Sequence, residues 1–463
     1  MESIIQQIAF ELVEGWTSVI NANGLSDIDV TSSKLLEVSK SKALELLSSL
    51  IDGLDRSIFS KKSERKRSGL KVKQRDRSRA YLTDLGWLNY SRSYYKDEIN
   101  DSYCYPVDMM IGVSSRERIS PTVSAALVQN AAFVPMRLSS NIVTGGDLSP
   151  QSVCNKVRSV DLLEKPFPDS RRDIRELHIF ADEDHVSLQN GRTKLVPLVT
   201  LSEGLRSTGK NRRRLINPVH FTSDISDIEL LWKRVYAYAD KAFNLRGVER
   251  VIIHGDGAGW IKRGLDEFGY AIFALDGFHL HKRLTPFLSV AGSECIYELL
   301  NEQRREDFEL VARSIISGCK DATKKKTLND NLKYVLNQWD GVVTRCAGEV
   351  IGSCTEAQVS HVLSQRMSRN PMGWSDDGTN AMASLRVYVK NGGVVTREDF
   401  VRKEKRSSEL SKHADEIIRS FLDFKLDRSV FERDRPRYGK VTPISVILKS
   451  LGSIKNTSTC SRN

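Results

Sequence analysis

Between residues 175 and 290 the chain alternates short apolar runs with amphipathic stretches in an order that few folds accept. ELHIFADEDHVSL, KLVPLVTLSEG and RRLINPVHFT read as three strands, rich in β-branched and aromatic residues and bounded by turn formers. DISDIELLWKRVYAYADKAFNL then reads as a helix opened by Asp and Ser capping signals. VERVIIHGDGAGW is a buried strand that runs into a glycine-rich turn, IKRGLDEFG a short helix, and YAIFALDGFHL a fifth strand leading into another helix. Three strands in meander, followed by helix, strand, helix and strand, predict one mixed α/β sheet.

That order is the order of a ribonuclease H-like sheet. Residues 292–350 read as entirely helical and charged, so they predict an all-helical insertion in the core, and TEAQVSHVLSQRM (355–367) predicts one further helix. Upstream, residues 1–58 have helical periodicity, with Ile4, Ile5, Ile8 and Leu12 and later Leu35, Leu36, Leu44, Leu47 and Ile51. The aromatic stretch RAYLTDLGWLNYSRSYYKDE, with the following SYCYPV, predicts a short antiparallel ribbon. From Ser120 the pattern is helical again. Gly145 and Gly146 break it, and Ser149 with Pro150 opens a new helix as N-cap and first position. Two short helices about a glycine turn resemble a helix-turn-helix, or equally a plain helical hairpin. The expected divisions are therefore a helical segment over 1–60, a basic DNA-binding region over 61–170, a catalytic core over 171–400 with its insertion at 292–350, and a basic polar tail over 401–463.

Charge narrows the partner. Lys and Arg number 70 against 59 Asp and Glu, a formal net charge of +11, which favours polyanions. KKSERKRSGLKVKQRDRSR (61–79) places 10 basic residues in 19 positions, among them Arg65, Lys66, Arg67, Lys71 and Lys73. GKNRRRL and KDATKKKTL form two more clusters, and three clusters in one basic chain point to nucleic acid above a solvated linker. On the helix after Gly146, Gln151 and Lys156 are expected to face outward and read sequence. No run approaches the length of a membrane span. The opening MESIIQQIAFELVEGW lacks the basic start of a secretory signal. Seven scattered cysteines with no CxxC pair suit a reducing cytoplasm rather than a disulfide framework or zinc ribbon.

The candidate chemistry lies at strand ends. The first strand terminates in Asp182, Glu183, Asp184 and His185. Alternation puts Asp182 and Asp184 on one face, both within reach of a cation, with Glu183 and His185 on the other, where they are expected to pair with the basic helical region. Asp256 ends the fourth strand, at the edge where open sheets present ligands, although a GDG sequence is also ordinary turn chemistry. The glycines around it lack GxGxxG spacing, and an acid inside the loop would repel a pyrophosphate, which argues against a dinucleotide site. Acids on adjacent strand ends are expected to lie within a few ångströms, which requires a cation between them. Hard oxygen donors suit Mg²⁺ or Mn²⁺, and a third carboxylate would complete a two-ion site for phosphodiester chemistry. Glu356, in the first turn of its helix, is the candidate, or else simply an acid that complements the helix dipole.

Four motifs, ADEDHVSLQ, HGDGAGWIK, LDGFHLHK and EAQVSHVLSQRMSRNPMGWSDDGTNAMASLRVYVKNGG, together resemble the ISLre-type insertion-sequence transposases, related to the Mutator-like branch of the DDE superfamily. YPVDMMIGVSSRERISPTV extends the resemblance over nearly the whole chain. The resemblance implies a DDE triad of Asp182, Asp256 and Glu356 acting with two Mg²⁺ or Mn²⁺ ions. Asp276 and His279 fall where the Mutator-like branch has its Cys/Asp-x-x-His signature, so His279 is expected to contact phosphate or support the metal site, or else to be a structural histidine. Asp184 and His185 would have supporting roles. Trp260 and Trp374 are candidates for base stacking or for the core. The chain departs from the family in having Ala357 where a glycine often follows the glutamate. The implied function is cleavage at terminal inverted repeats and strand transfer into target DNA, by a cytoplasmic, nucleoid-associated homo-oligomer. A nuclease or resolvase without strand transfer, and a DNA-binding protein without chemistry, are the alternatives.

Overall fold

The computed structural model describes residues 2–23, 26–160, 167–209, 212–347, 354–369 and 372–401. The tail expected from 401 onward lies outside the described residues except for Val401, as do Lys210 and Asn211 of the GKNRRRL cluster. Two compact units divide the described chain, one up to Val123 and one over Ser124–Phe400.

In the first unit, α1 (Glu2–Asn23) and α2 (Ile28–Ser60) are followed by a short α3 (Lys62–Arg67). Asp27 starts α2, its carboxylate accepting from Val30 N at 3.0 Å. An antiparallel sheet of β1 (Leu70–Thr83), β2 (Gly86–Asp97) and β3 (Ser102–Cys104) comes next, then α4 (Pro106–Met110). The sheet is tied to α2 by Ser93, whose N and Oγ donate to Asp55 at 2.9 and 2.6 Å, and by Ser91 N, which donates to Asp52 at 2.8 Å. Ile51, Ile58, Tyr81, Leu88, Tyr90, Tyr95, Val107 and Val113 form the core. Below it Asp108 is buried and accepts from Arg79 (2.6 Å), the Tyr90 hydroxyl (2.7 Å) and Arg92.

Contrary to the sequence pattern, the basic stretch is not separate from the ribbon. Arg65, Lys66 and Arg67 lie on α3, and Lys71 and Lys73 are residues of β1, which starts at Leu70, nine residues before the aromatic stretch that opens at Arg79. Residues 71–78 are nearly all polar, so no period-2 signal marks them. Pairing with β2, from Leu70↔Asp97 onward, makes them strand.

The chain enters the second unit through α5 (Pro121–Ala131), followed by α6 (Met136–Thr144) and α7 (Pro150–Ser159). Gly145 ends α6 in the left-handed region (φ 66°), and Ser149 Oγ accepts from Ser152 N to start α7. These helices cluster with the sheet that follows rather than with the basic region. That sheet contains β4 (Glu176–Ser187), β5 (Thr193–Ser202), β8 (Val219–Thr222), β9 (Arg250–Gly255) and β10 (Ile272–Leu275), while β6 (Leu205–Gly209) and β7 (Arg212–Leu215) form a separate two-stranded ribbon. The order is β10-β9-β4-β5-β8, with β4, β5 and β8 antiparallel and β9 and β10 parallel to β4. The single third strand expected over RRLINPVHFT is thus two strands. Asn217 has φ 47°, and Pro218 has no N–H to donate, so the ladder breaks between β7 and β8.

Helices α8 (Ile228–Ala242) and α9 (Gly259–Phe268) cover one face of the sheet, where Leu177, Ile179 and Ala181 of β4 meet Trp232, Val235 and Phe268. After β10, α10 (Gly277–Ala291) leads into α11 (Ser293–Asn301), α12 (Arg305–Gly318), α13 (Ala322–Asn337) and α14 (Trp339–Cys346), which share their own core around Phe287, Phe308 and Leu332. Gly341 lets α14 lie against β10: a Cβ there would meet Phe273 at 2.6 Å and Leu275 N at 3.1 Å. The helix expected over 355–367 is interrupted. It comprises α15 (Thr355–Val359), a π-helical turn over Ser360–Ser364 and α16 (Gln365–Met367), before α17 (Asp376–Lys390). Arg386 of α17 is buried and donates to the carbonyls of Ala132, just past α5, and of His361 and Val362 in the π turn, at 2.6–2.8 Å, so backbone oxygens satisfy its charge. Among the described residues no helix is long and apolar enough to cross a membrane.

Candidate active site

Alternation along β4 sends His178, Phe180, Asp182 and Asp184 to the face opposite α8 and α9. Asp182 is buried, and its Oδ1 accepts from Glu183 N at 2.9 Å. Two helix starts converge on it. Asp276 caps α10, accepting from Phe278 N (2.9 Å) and His279 N (3.2 Å), and so fixes His279 in the first turn. Glu356 lies in the first turn of α15. Asp182, His279 and Glu356 then offer ligand atoms that all lie within 4.8 Å of one another, from buried at Asp182 to exposed at Glu356. His279 Nε2 is buried, has no hydrogen-bond partner and stands 3.7 Å from Asp182 Oδ2. The facing Asp182 carboxylate raises the imidazole pKa against the opposing effect of burial.

Asp256 stands at the neighbouring strand end, level with Asp182 by the Phe180↔His254 register, but it is not a member of this compact group. Its Oδ1 accepts from Ala258 N at 2.8 Å, and its carbonyl accepts from the Tyr334 hydroxyl. Its charge is still felt nearby, raising the pKa of both His279 and Glu183. Gly257 has φ 89°, and a Cβ there would meet the Gln338 amide at 2.5 Å. Tyr334 and Gln338, both on α13 or its end, thus brace the Asp256 loop from the helical insertion. Nothing in their charged surroundings marks them in the sequence except the i, i+4 spacing that puts them on one face.

The two aspartates of β4 part company. Asp184 Oδ1 accepts from Ser364 Oγ at 3.0 Å and Ser368 Oγ at 2.9 Å, while Oδ2 has no partner, and burial pushes this carboxyl's pKa up. Ser364 closes the π turn and Ser368 follows α16 four residues on, so both hydroxyls reach one acid. Glu183 does not pair with a basic helix. It accepts from Trp260 Nε1 at 2.8 Å because α9 starts over that side of the sheet, and burial raises its pKa. His185 is exposed. Trp374 is a core residue, its Nε1 donating to Met367 O at 2.9 Å.

Beneath these groups a directed chain runs between β4 and β9. Arg345 Nη2 and His254 Nδ1 are 3.3 Å apart, His254 Nε2 and His178 Nδ1 3.1 Å, and His178 Nε2 and Glu176 Oε2 3.2 Å. Donation from the guanidinium fixes the tautomer of each ring in turn. Burial holds the pKa of both imidazoles down. Beside Glu356 opens a cavity of about 570 Å³, lined by Phe278, Thr355, Ser360, His361 and Arg369 among others, within the size range of small-ligand sites.

The remaining candidates lie elsewhere. Arg65 stacks over Phe59 with 5.2 Å between guanidinium and ring centre, Lys71 pairs with Glu98 at 3.6 Å, and Lys73 is exposed. On α7, Gln151 is exposed and donates to Asn155 at 2.8 Å. Lys156 does not simply face outward: it is half-buried, its ammonium 5.9 Å from the Phe400 ring.

Fold and site together define a mixed α/β protein whose parallel strand ends carry a carboxylate–imidazole cluster flanked by a further acid. The chain belongs to the family described as Uncharacterised protein family (UPF0236), whose model matches residues 21–405. The UPF0236 protein TTE2489 of Caldanaerobacter subterraneus subsp. tengcongensis is 31% identical over 453 residues, covering 95% of this chain and 96% of the relative. A second UPF0236 protein of that organism, named for eleven loci from TTE0033 to TTE2212, is 31% identical over 462 residues, 97% of each chain.

Proposed function

We propose that this protein is a metal-dependent DNA transposase of the DDE type, which cleaves strands at the ends of its own element and joins them to target DNA. The observation that carries the reading is the convergence of Asp182, His279 and Glu356 from three distant segments, with Asp256 at the adjacent strand end. The strand order, three antiparallel strands followed by two parallel ones, supports a ribonuclease H-like core. A relative named for eleven loci in one organism fits an element that spreads by copying or moving its own gene.

The donor set fits a divalent cation. Two carboxylates and an imidazole lie within ligand reach of one another, and the buried Nε2 of His279 makes no hydrogen bond while facing Asp182 Oδ2 at 3.7 Å. Asp182, His279 and Glu356 would hold the ion. An imidazole among the ligands favours Mn²⁺ over Mg²⁺. When bound, such an ion supplies the positive charge that activates a hydroxyl for attack on phosphorus and neutralises the phosphate oxygens. The chain's own groups do the positioning. Asp276 orients His279, the Glu183 N–H orients Asp182, and Tyr334 holds the loop of Asp256. Arg369, in the cavity beside Glu356, offers a guanidinium to a DNA phosphate.

The test is incubation of the purified protein with a plasmid carrying its gene and flanking DNA, in Mn²⁺ or Mg²⁺. Nicks at the element ends and joined products are expected with the natural protein, and neither with Asp182→Asn or Glu356→Gln. Cleavage without joining would make the protein a nuclease or resolvase. Binding without any metal-dependent cleavage would make it a DNA-binding protein, and either result overturns the proposal.

A further inference from the structure

The solvent side of the small sheet in the first unit is built unlike an ordinary polar strand face. Ser93 turns toward α2 through its bonds to Asp55, so its neighbours Arg92 and Tyr94 point away from that helix. There Tyr94 stacks on Tyr103, ring centres 5.3 Å apart and planes 15° apart, and meets Tyr105 at 4.9 Å. The Arg77 guanidinium lies 5.3 Å from the Tyr94 ring centre and 5.7 Å from that of Tyr105. Arg92 closes the back of the group, 3.7 Å over Tyr105, while its charge is taken by the buried Asp108. Tyr103 ends the stack and is 56% exposed.

Charge runs alongside the rings. Lys73 and Arg77 are exposed on β1, while the Arg75 guanidinium lies 4.0 Å over the Phe59 ring of α2, and an irregularity between Gln74 and Arg77 puts Asp76 in the left-handed region (φ 52°). Lys71 and Lys96 are each engaged by a carboxylate, Glu98 at 3.6 Å and Asp101 at 2.8 Å. Among the described residues no carboxylate stands within ion-pair distance of Lys73 or Arg77. A row of cations beside an open aromatic stack matches a chain of phosphates whose bases are free to stack. A closed duplex offers phosphates to the cations and no base face to the ring. An acidic peptide would use the cations and leave the stack idle.

We propose that this face binds an unpaired stretch of DNA, with a base stacked on Tyr103 and the adjoining phosphates along Lys73 and Arg77. The proposal rests on the reading of the protein as one that handles DNA ends, and it adds that those ends are held with bases out of the duplex. The site is distinct from the Asp182 cluster and needs no chemistry. Binding is therefore measured with the full chain in EDTA, by fluorescence anisotropy of a labelled thymidine oligonucleotide of about 12 nucleotides, a duplex of equal length and polyglutamate as competitor. Tyr103→Ala should weaken the single strand roughly tenfold or more, as loss of one base–aromatic stack does, with duplex binding and melting temperature unchanged. Tyr103→Phe should restore it. Arg77→Ala should flatten the salt dependence of single-strand binding. Unchanged single-strand affinity in Tyr103→Ala, equal loss for single strand and duplex, or polyglutamate competing as well as the oligonucleotide would each overturn the proposal. Loss of the single-strand preference with metal-dependent cleavage intact would sink this inference alone. The expected binding without any cleavage would sink the transposase reading and leave the surface standing.

Discussion

Asp184 lies two residues from the acid at the centre of the cluster, and its contacts predict an outcome opposite to that of its neighbour. Both of its hydrogen bonds, from Ser364 at 3.0 Å and Ser368 at 2.9 Å, fall on Oδ1, while Oδ2 is buried without a partner. Replacing Asp184 with Asn leaves an amide oxygen able to accept both hydroxyls and exchanges an unpartnered acceptor for an unpartnered donor. It also removes a buried negative charge. The net change in stability should be within about 1 kcal/mol of zero. Ala removes both bonds, each worth about 1.5–3 kcal/mol to a charged acceptor, against a relief of several kcal/mol from no longer burying a carboxylate. The expected cost is about 1–3 kcal/mol, read as a fall in melting temperature of about 2–4 °C for each kcal/mol. Thermal melts of the two variants beside the natural protein measure this, and a strand-cleavage assay over a Mn²⁺ titration measures function. Asp184→Asn should retain measurable cleavage where Asp182→Asn has none. If Asp184→Asn is inactive while Asp182→Asn cuts, the first acid of the site is Asp184 and the argument from these contacts is wrong.

Tyr334→Phe removes one donor from the Asp256 carbonyl and should lower stability by only about 1 kcal/mol. Cleavage should fall several-fold, because the loop of Asp256 loses its brace, and an unaltered rate would remove the insertion from the site. Asp224 gives a pH test away from the site. Lys194 at 2.6 Å, the Ser226 N–H and Asn380 hold its carboxyl well below the usual range. A depressed folded pKa contributes stability that is present above the unfolded value of about 3.9 and is lost as pH falls through the folded one. The melting temperature of Asp224→Asn should therefore lie below that of the natural protein at pH 6, by the equivalent of about 1–2 kcal/mol, and the gap should narrow on acidification below about pH 4. A gap of constant size from pH 6 to pH 3 would contradict the assignment.

Element order was legible in the sequence wherever one face of an element meets a core. The apolar runs of β4, β5, β9 and β10 and the amphipathic period of α8 report burial directly. A local polar signal was legible for the same reason: Ser149 caps α7 with its own side chain, whereas the cap that Asp276 places on α10 was not read from the sequence. The basic half of β1 was not legible, because its pairing partner, and no pattern of its own, makes it a strand. Nor was the break between β7 and β8, although Asn217 and Pro218 stood in plain view.

By itself the sequence determined which acids could matter, since each lies at the end of an apolar run or in the first turn of a helix. Only the tertiary structure decided their company. The spacing along β4 made Asp182 and Asp184 look like equivalent ligands. Ser364 of the π turn and Ser368 after α16 claim one, while the starts of α10 and α15 bring His279 and Glu356 to the other. Asp256 was expected in the cluster and lies beside it, its loop fixed by Tyr334 from a distant helix. These distances depend on how helices far apart in the chain settle against one sheet. That packing is non-local, and no periodicity or spacing in the sequence encodes it.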